Sequence, residues 1–145
     1  MKMQRSLVLG FLLVVGCGGG ATGTLVIDGQ TVQIEDCESG EHVDAPNSVE
    51  LTTSAGRFRF TRTDDGQAEI SYLVSGLGSV AGIPIPLQRR NVIRGCGPMT
   101  FSREDYMQNT VYPVSGTATI ECSNTGTSDP DPHTFRGSFT FDRCR

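Results

Sequence analysis

The chain has 145 residues, 37% of them hydrophobic, with no tryptophan, 18 glycines and five cysteines. Its formal net charge is −4, and beyond residue 16 ten arginines face all sixteen carboxylates with no lysine, a balance near −6. That excess leaves no basic face for a phosphate backbone and excludes nucleic acid as a natural partner, while the length suits one domain.

The first stretch reads MKMQRSLVLGFLLVVGC. Lys2 and Arg5 form a short cationic region, and residues 7–15 a nine-residue apolar run interrupted only by Gly10. A helix needs about 20 apolar residues to span a bilayer, so this run is too short and fits a secretory signal. It closes on Val14, Val15, Gly16 and Cys17, a small residue directly before a cysteine. The combination resembles the lipobox of bacterial lipoproteins. That resemblance implies removal of residues 1–16, a covalent diacylglycerol and further acyl anchor on Cys17, and no other cofactor. It also implies an exported chain held at a membrane, at the outer membrane or cell surface rather than the inner membrane. Two or three acyl chains anchor stably where one does not.

Setting Cys17 aside leaves Cys37, Cys96, Cys122 and Cys144, an even number that reads as two disulfides in an exported domain, with three pairings open. The gaps between these cysteines are too wide for a zinc site built on close pairs.

Residues 17–23 read as the lipidated cysteine and a glycine-rich tether, with a single β domain over 24–145. Gly18, Gly20 and Gly23 match the dinucleotide fingerprint formally, but no strand precedes them and no helix follows, so the match carries nothing. Asp28-Gly29 between two alternating runs predicts a hairpin with a type I′ turn. Its two-residue loop pairs Ile27 with Gln30 and Leu25 with Val32, which places Leu25, Ile27, Val32 and Ile34 on one face.

Glu35, Asp36, Glu38, Glu41, His42 and Asp44 then form an acidic loop around Cys37. Several oxygen ligands suit calcium, so a metal- or ligand-binding module over 35–44 is an alternative reading, although the spacing matches no calcium loop and a solvated charged loop is the simpler one.

Val49, Leu51 and Thr53 alternate with polar residues before a turn at Ser54, Ala55 and Gly56. Phe58 and Phe60 follow on one face of a strand with Arg57, Arg59 and Thr61 on the other. Base stacking between these aromatics and arginines is therefore disfavoured, because the two types point apart. After Asp64-Asp65-Gly66 the alternation resumes through Ala68, Ile70, Tyr72 and Val74.

From residue 75 glycines thin the pattern, and Ile83, Pro84, Ile85, Pro86 and Leu87 follow. Alternate prolines cannot donate to a ladder, so this is an edge strand or an extended crossover between two sheets. Being apolar, it is the candidate contact surface for an envelope protein or ligand. Asn91 to Cys96 reads as a further short strand. Ser102, Arg103, Glu104, Asp105 and Tyr106 suggest one helical turn with Ser102 as its N-cap.

The C-terminal part returns to strand pattern over 115–122 and 136–144, each run ending at a cysteine, with a polar loop holding His133 between them. A tether, an Asp-Gly hairpin running into a cysteine, a Ser-Gly-Thr-Ala-Thr strand and a final Phe-rich strand ending in Cys resemble the small lipoprotein antigens of mycobacteria. The resemblance implies pairing of Cys37 with Cys144, leaving Cys96 with Cys122.

The two histidines, His42 and His133, lie in polar runs. Ser79 lacks the glycines of a nucleophile elbow, since Leu77 and Ala81 stand in their places. The reading is an all-β, antiparallel sandwich-like domain of seven to nine strands with two disulfides. The expected role is that of a non-catalytic, lipid-anchored envelope lipoprotein acting by binding or structural interaction, with a hydrolase as the least favoured alternative.

Overall fold

In the computed structural model, the described residues are 19–40, 45–108, 110–127, 129 and 131–145. Among them are ten strands and no helix: β1 Gly20–Ile27, β2 Gln30–Val32, β3 Ile34–Ser39, β4 Ser48–Thr53, β5 Gly56–Arg62, β6 Ala68–Val80, β7 Ile83–Ile93, β8 Met99–Arg103, β9 Val114–Ser123 and β10 Thr134–Cys144. They build two antiparallel five-stranded sheets, ordered β2-β1-β10-β9-β8 and β3-β4-β5-β6-β7.

The first hairpin has the expected register, with Leu25 opposite Val32 and Ile27 opposite Gln30. Asp28 and Gly29 both take positive φ, 53° and 79°, as a type I′ turn requires. The strand begins earlier than the sequence suggests. Residues 20–23, read as tether, are the first half of β1 and pair with residues 139–142 of β10. Gly23 explains why glycine belongs there. Its φ is 139°, and a Cβ would sit 2.3 Å from the Ser138 carbonyl oxygen, so the residue serves close strand approach rather than slack.

After Val32 the chain passes through Gln33 into β3 of the second sheet, where Ile34 lies opposite Thr53. The acidic run is thus partly strand and not loop. Cys37 and Ser39 point inward, because β3 must pair with the buried positions of β4. Leu51 lies opposite Phe58 and Val49 opposite Phe60, so each face carries one kind of residue. In the core, Phe58 and Phe135 meet at 5.3 Å between ring centroids, and Phe60 and Phe139 at 4.8 Å.

Residues 102–106 do not form the expected helical turn. Met99–Arg103 is β8, Ser102 lies opposite Ser115, and the Ser102 hydroxyl donates to the Ser115 carbonyl. A single helical turn fixes three residues for one hydrogen bond, whereas β9 offers β8 a preformed antiparallel ladder that satisfies the backbone groups of alternate residues. The expected short strand over 91–96 is the tail of β7, which ends at Ile93.

The disulfides are Cys37–Cys144 and Cys96–Cys122. The first ties β3 to β10 and so joins the sheets. Its geometry depends on a bulge. Phe135, Phe139 and Phe141 point inward with even spacing, but Cys144 follows Phe141 by three. The register shifts between Phe141 and Cys144, and Arg143 takes φ 48°, which turns the final cysteine back to the core.

The outer faces differ in chemistry. On the first sheet Thr22, Thr140, Thr117 and Thr100 stand opposite one another across four strands. On the second, Arg57 bridges Glu38 at 2.9 Å and Glu50 at 3.1 Å, and Arg59 reaches Glu50 at 3.3 Å.

Candidate functional site

β6 and β7 pair over eleven residues each, from Ile70 opposite Ile93 to Val80 opposite Ile83. β5 accompanies β6 only as far as Ser71. Residues 72–80 and 83–91 therefore leave the sheet as a two-stranded ribbon, about 25 Å long at 3.3 Å per residue. The candidate contact stretch, Ile83, Pro84, Ile85, Pro86 and Leu87, is its distal edge. The edge-strand reading holds, and the crossover reading does not, because residues 81–82 form a tight turn with φ of 50° and 78°. Proline is tolerated there because an edge strand has one side without a ladder.

Direct opposition sets the ribbon's two faces. Val74 and Val80 share the core-side face with Ile83, Ile85 and Leu87, and Leu73, Pro84 and Pro86 lie on the other. Val80, Ile83 and Leu87 are 61%, 65% and 50% exposed, whereas Val74, next to the sandwich, is buried. Ile85 is half-buried.

A clasp holds the ribbon's base. The Tyr72 hydroxyl donates to the Asp131 carbonyl at 2.8 Å and accepts from the Asn124 amide at 2.9 Å. That Asn124 amide also donates to Asp129, and the side-chain oxygen accepts the His133 backbone N–H at 2.7 Å. Arg89 on the ribbon reaches Asp129 at 3.2 Å. His133 Nδ1 lies 2.6 Å from Asp28 Oδ2 in the first hairpin's turn, and Nε2 lies 3.2 Å from Asp131 Oδ2. Its ring stands edge-on to Phe58, Tyr72 and Phe135. Asn124 is buried because this network saturates its amide.

Burial opposes charge on His133, but the Asp28 hydrogen bond and the charges of Asp131 and Asp28 outweigh it and raise its pKa above the ordinary histidine value. Partial burial likewise opposes ionisation of Asp28. The Thr134 backbone N–H and His133 prevail and lower its pKa. The sequence showed His133 only as a polar-loop residue. No local signal pairs it with Asp28, because the contact exists only once β1 lies beside β10.

Cys17 lies outside the described residues, as do Glu41, His42 and Asp44. Within the acidic run, Asp36 accepts the Cys37 backbone N–H at 2.8 Å and Glu38 pairs with Arg57. Among the described residues no three His, Cys, Asp or Glu side chains are grouped to hold a metal ion. Ser79 is exposed on the ribbon opposite Pro84, while both ring nitrogens of His133 face carboxylates. A shallow groove of about 410 Å³ runs over the first sheet beside Val26, Glu121, Ser123 and Arg136, with Arg136 and Glu121 3.7 Å apart. Compared with family models, curated proteins and solved structures, the chain matches none.

Proposed function

We propose that this chain is an exported, lipid-anchored envelope lipoprotein without catalytic activity, acting by binding or structural interaction. Cys17 carries the acyl groups after removal of residues 1–16, and residues 83–87 are the contact surface. The observation that supports export most directly is the pair of disulfides joining residues distant in sequence, because such bonds persist in oxidising compartments and not in a reducing cytosol. The place of β1 fits attachment as well. It starts at Gly20, three residues after Cys17, so an acyl anchor there holds the domain within about 10 Å of the bilayer surface.

Membrane fractionation and intact-mass analysis of the native chain and of Cys17→Ser test the reading. The native chain is expected in the membrane fraction with an acylated Cys17 as its first residue. A Cys17→Ser chain that is processed and retained like the native one overturns it.

A further inference from the structure

The geometry points to a phospholipid bilayer as the occupant of the distal β6–β7 ribbon, its tip entering the interfacial region. This rests on the reading of residues 83–87 as a contact surface, and not on acylation of Cys17.

Four observations carry it. First, the sixteen residues 73–88 contain no charged side chain, in a chain otherwise rich in carboxylates. Second, apolar groups occupy both faces and the tip: Val80, Ile83 and Leu87 on one side, Leu73 and the two prolines on the other. A protein docking against one face leaves the other wet, whereas lipid surrounds the tip and covers both.

Third, the proline spacing suits lipid and opposes strand addition. An edge strand buried in an apolar medium leaves its outward N–H groups unsatisfied, at a cost of several kcal/mol each. Pro84 and Pro86 stand two apart, so both nitrogens lie on the same side of β7, and neither carries a hydrogen. With Ile85 and Ile83 held opposite Gly78 and Val80, the outward edge of β7 near the tip is stripped of donors, while the β6 edge beyond Ser71 keeps its N–H groups for the water of the interfacial region. The same change removes what a partner strand would need along β7.

Fourth, the apolar section ends in cations. Arg89 lies opposite Val74 and Arg90 opposite Leu73, one on each face where the ribbon meets the sandwich. Arg89 is engaged by Asp129 in the clasp, and Arg90, exposed beside the Ser71 hydroxyl at 3.2 Å, is the one placed to reach anionic headgroups with its stem along apolar surface, as interfacial anchors do.

The chain lacks tryptophan, so Val80→Trp places a lone indole at the tip, and Tyr106→Trp places one on an exposed site off the ribbon. Each full-length variant is reconstituted into phosphatidylcholine–phosphatidylglycerol vesicles containing acyl-brominated lipid. The expected result is blue-shifted emission from Val80→Trp, quenched several-fold more than Tyr106→Trp. Adding Ile83→Asp should bring that quenching down toward the Tyr106→Trp level, because loss of one buried large aliphatic side chain weakens insertion about tenfold. Because Ile83 is exposed, this variant should keep both disulfides and its β-sheet circular dichroism.

Equal emission and quenching from the two tryptophan variants, in chains that float with the vesicles, overturns the inference, as does cross-linking of the tip to an envelope protein with no bromolipid quenching. The mass of the N-terminal peptide from the same sample separates the two readings. An unmodified Cys17 with a quenched tip removes the acyl anchor and keeps the ribbon in lipid. An acylated Cys17 with a water-exposed tip does the reverse.

Discussion

His133 and Asp28, 105 residues apart in sequence, meet at 2.6 Å between ring Nδ1 and carboxylate Oδ2. Asp28 belongs to the turn between β1 and β2, and its other oxygen accepts the Thr134 backbone N–H at 2.9 Å. One carboxylate thus joins the first hairpin to the loop that grips Tyr72 and, through Asp129, Arg89 of the ribbon.

This pair gives stability a pH window. His133 is raised above 6.5, so its contribution is fully present below 6.5 and is lost as pH rises through the higher folded value. Asp28 is lowered below 3.8, so its contribution is present above 3.8 and is lost as pH falls through the lower folded value. Thermal unfolding is expected to show a plateau between those limits with a shoulder falling on the alkaline side. His133→Ala should remove that shoulder. Asp28 is 49% exposed, so the ion-pair part is screened to about 1 kcal/mol or less.

The two disulfides should differ in weight. Cys37–Cys144 spans 107 residues and Cys96–Cys122 spans 26. In the chain-entropy account, loops of these lengths contribute about 4.8 and about 3.5 kcal/mol. Denaturant unfolding of the two paired cysteine-to-alanine variants should rank them in that order.

Apolar residues should separate sharply by location. Phe60→Ala in the sealed core is expected to cost about 3–5 kcal/mol. Ile83→Ala on the ribbon tip should change folding stability by about 0.5 kcal/mol or less while weakening surface attachment. Urea midpoints of the two variants provide the check.

The ribbon's turn can be improved. Ala81 takes φ 50°, a conformation that asparagine tolerates better than alanine. Ala81→Asn should raise stability by about 0.5 kcal/mol, read as a higher thermal midpoint. A drop would mean that the ribbon's turn differs from type I′.

Much of this architecture was legible in residue order. The first hairpin followed from Asp28-Gly29 and period-two alternation, because turn chemistry and pleat are local properties. The ribbon's turn leaves no local mark, because Ala81-Gly82 lacks the Asn or Asp of a type I′ turn and the prolines that follow suit a crossover equally well. Residues 102–106 carry a helix-capping pattern that is local, while the β9 backbone that captures β8 comes from a distant segment. Glycine signals slack when its neighbours are unknown, so residues 20–23 read as tether, whereas in the fold Gly23 is required by the nearness of Ser138.

Residue order alone carries the β class, the inward residues of most strands, an even set of four cysteines beyond Cys17, and an uncharged stretch interrupted by prolines. These are matters of period, composition and count, which a chain carries before it folds. That β1 lies against β10, and hence that Asp28 meets His133, is set by the packing of distant strands. The same packing stops β5 short of the end of β6, leaving the uncharged stretch as a ribbon apolar on both faces. Strand order and strand overlap depend on contacts between distant segments, and no local pattern encodes which neighbour ends first.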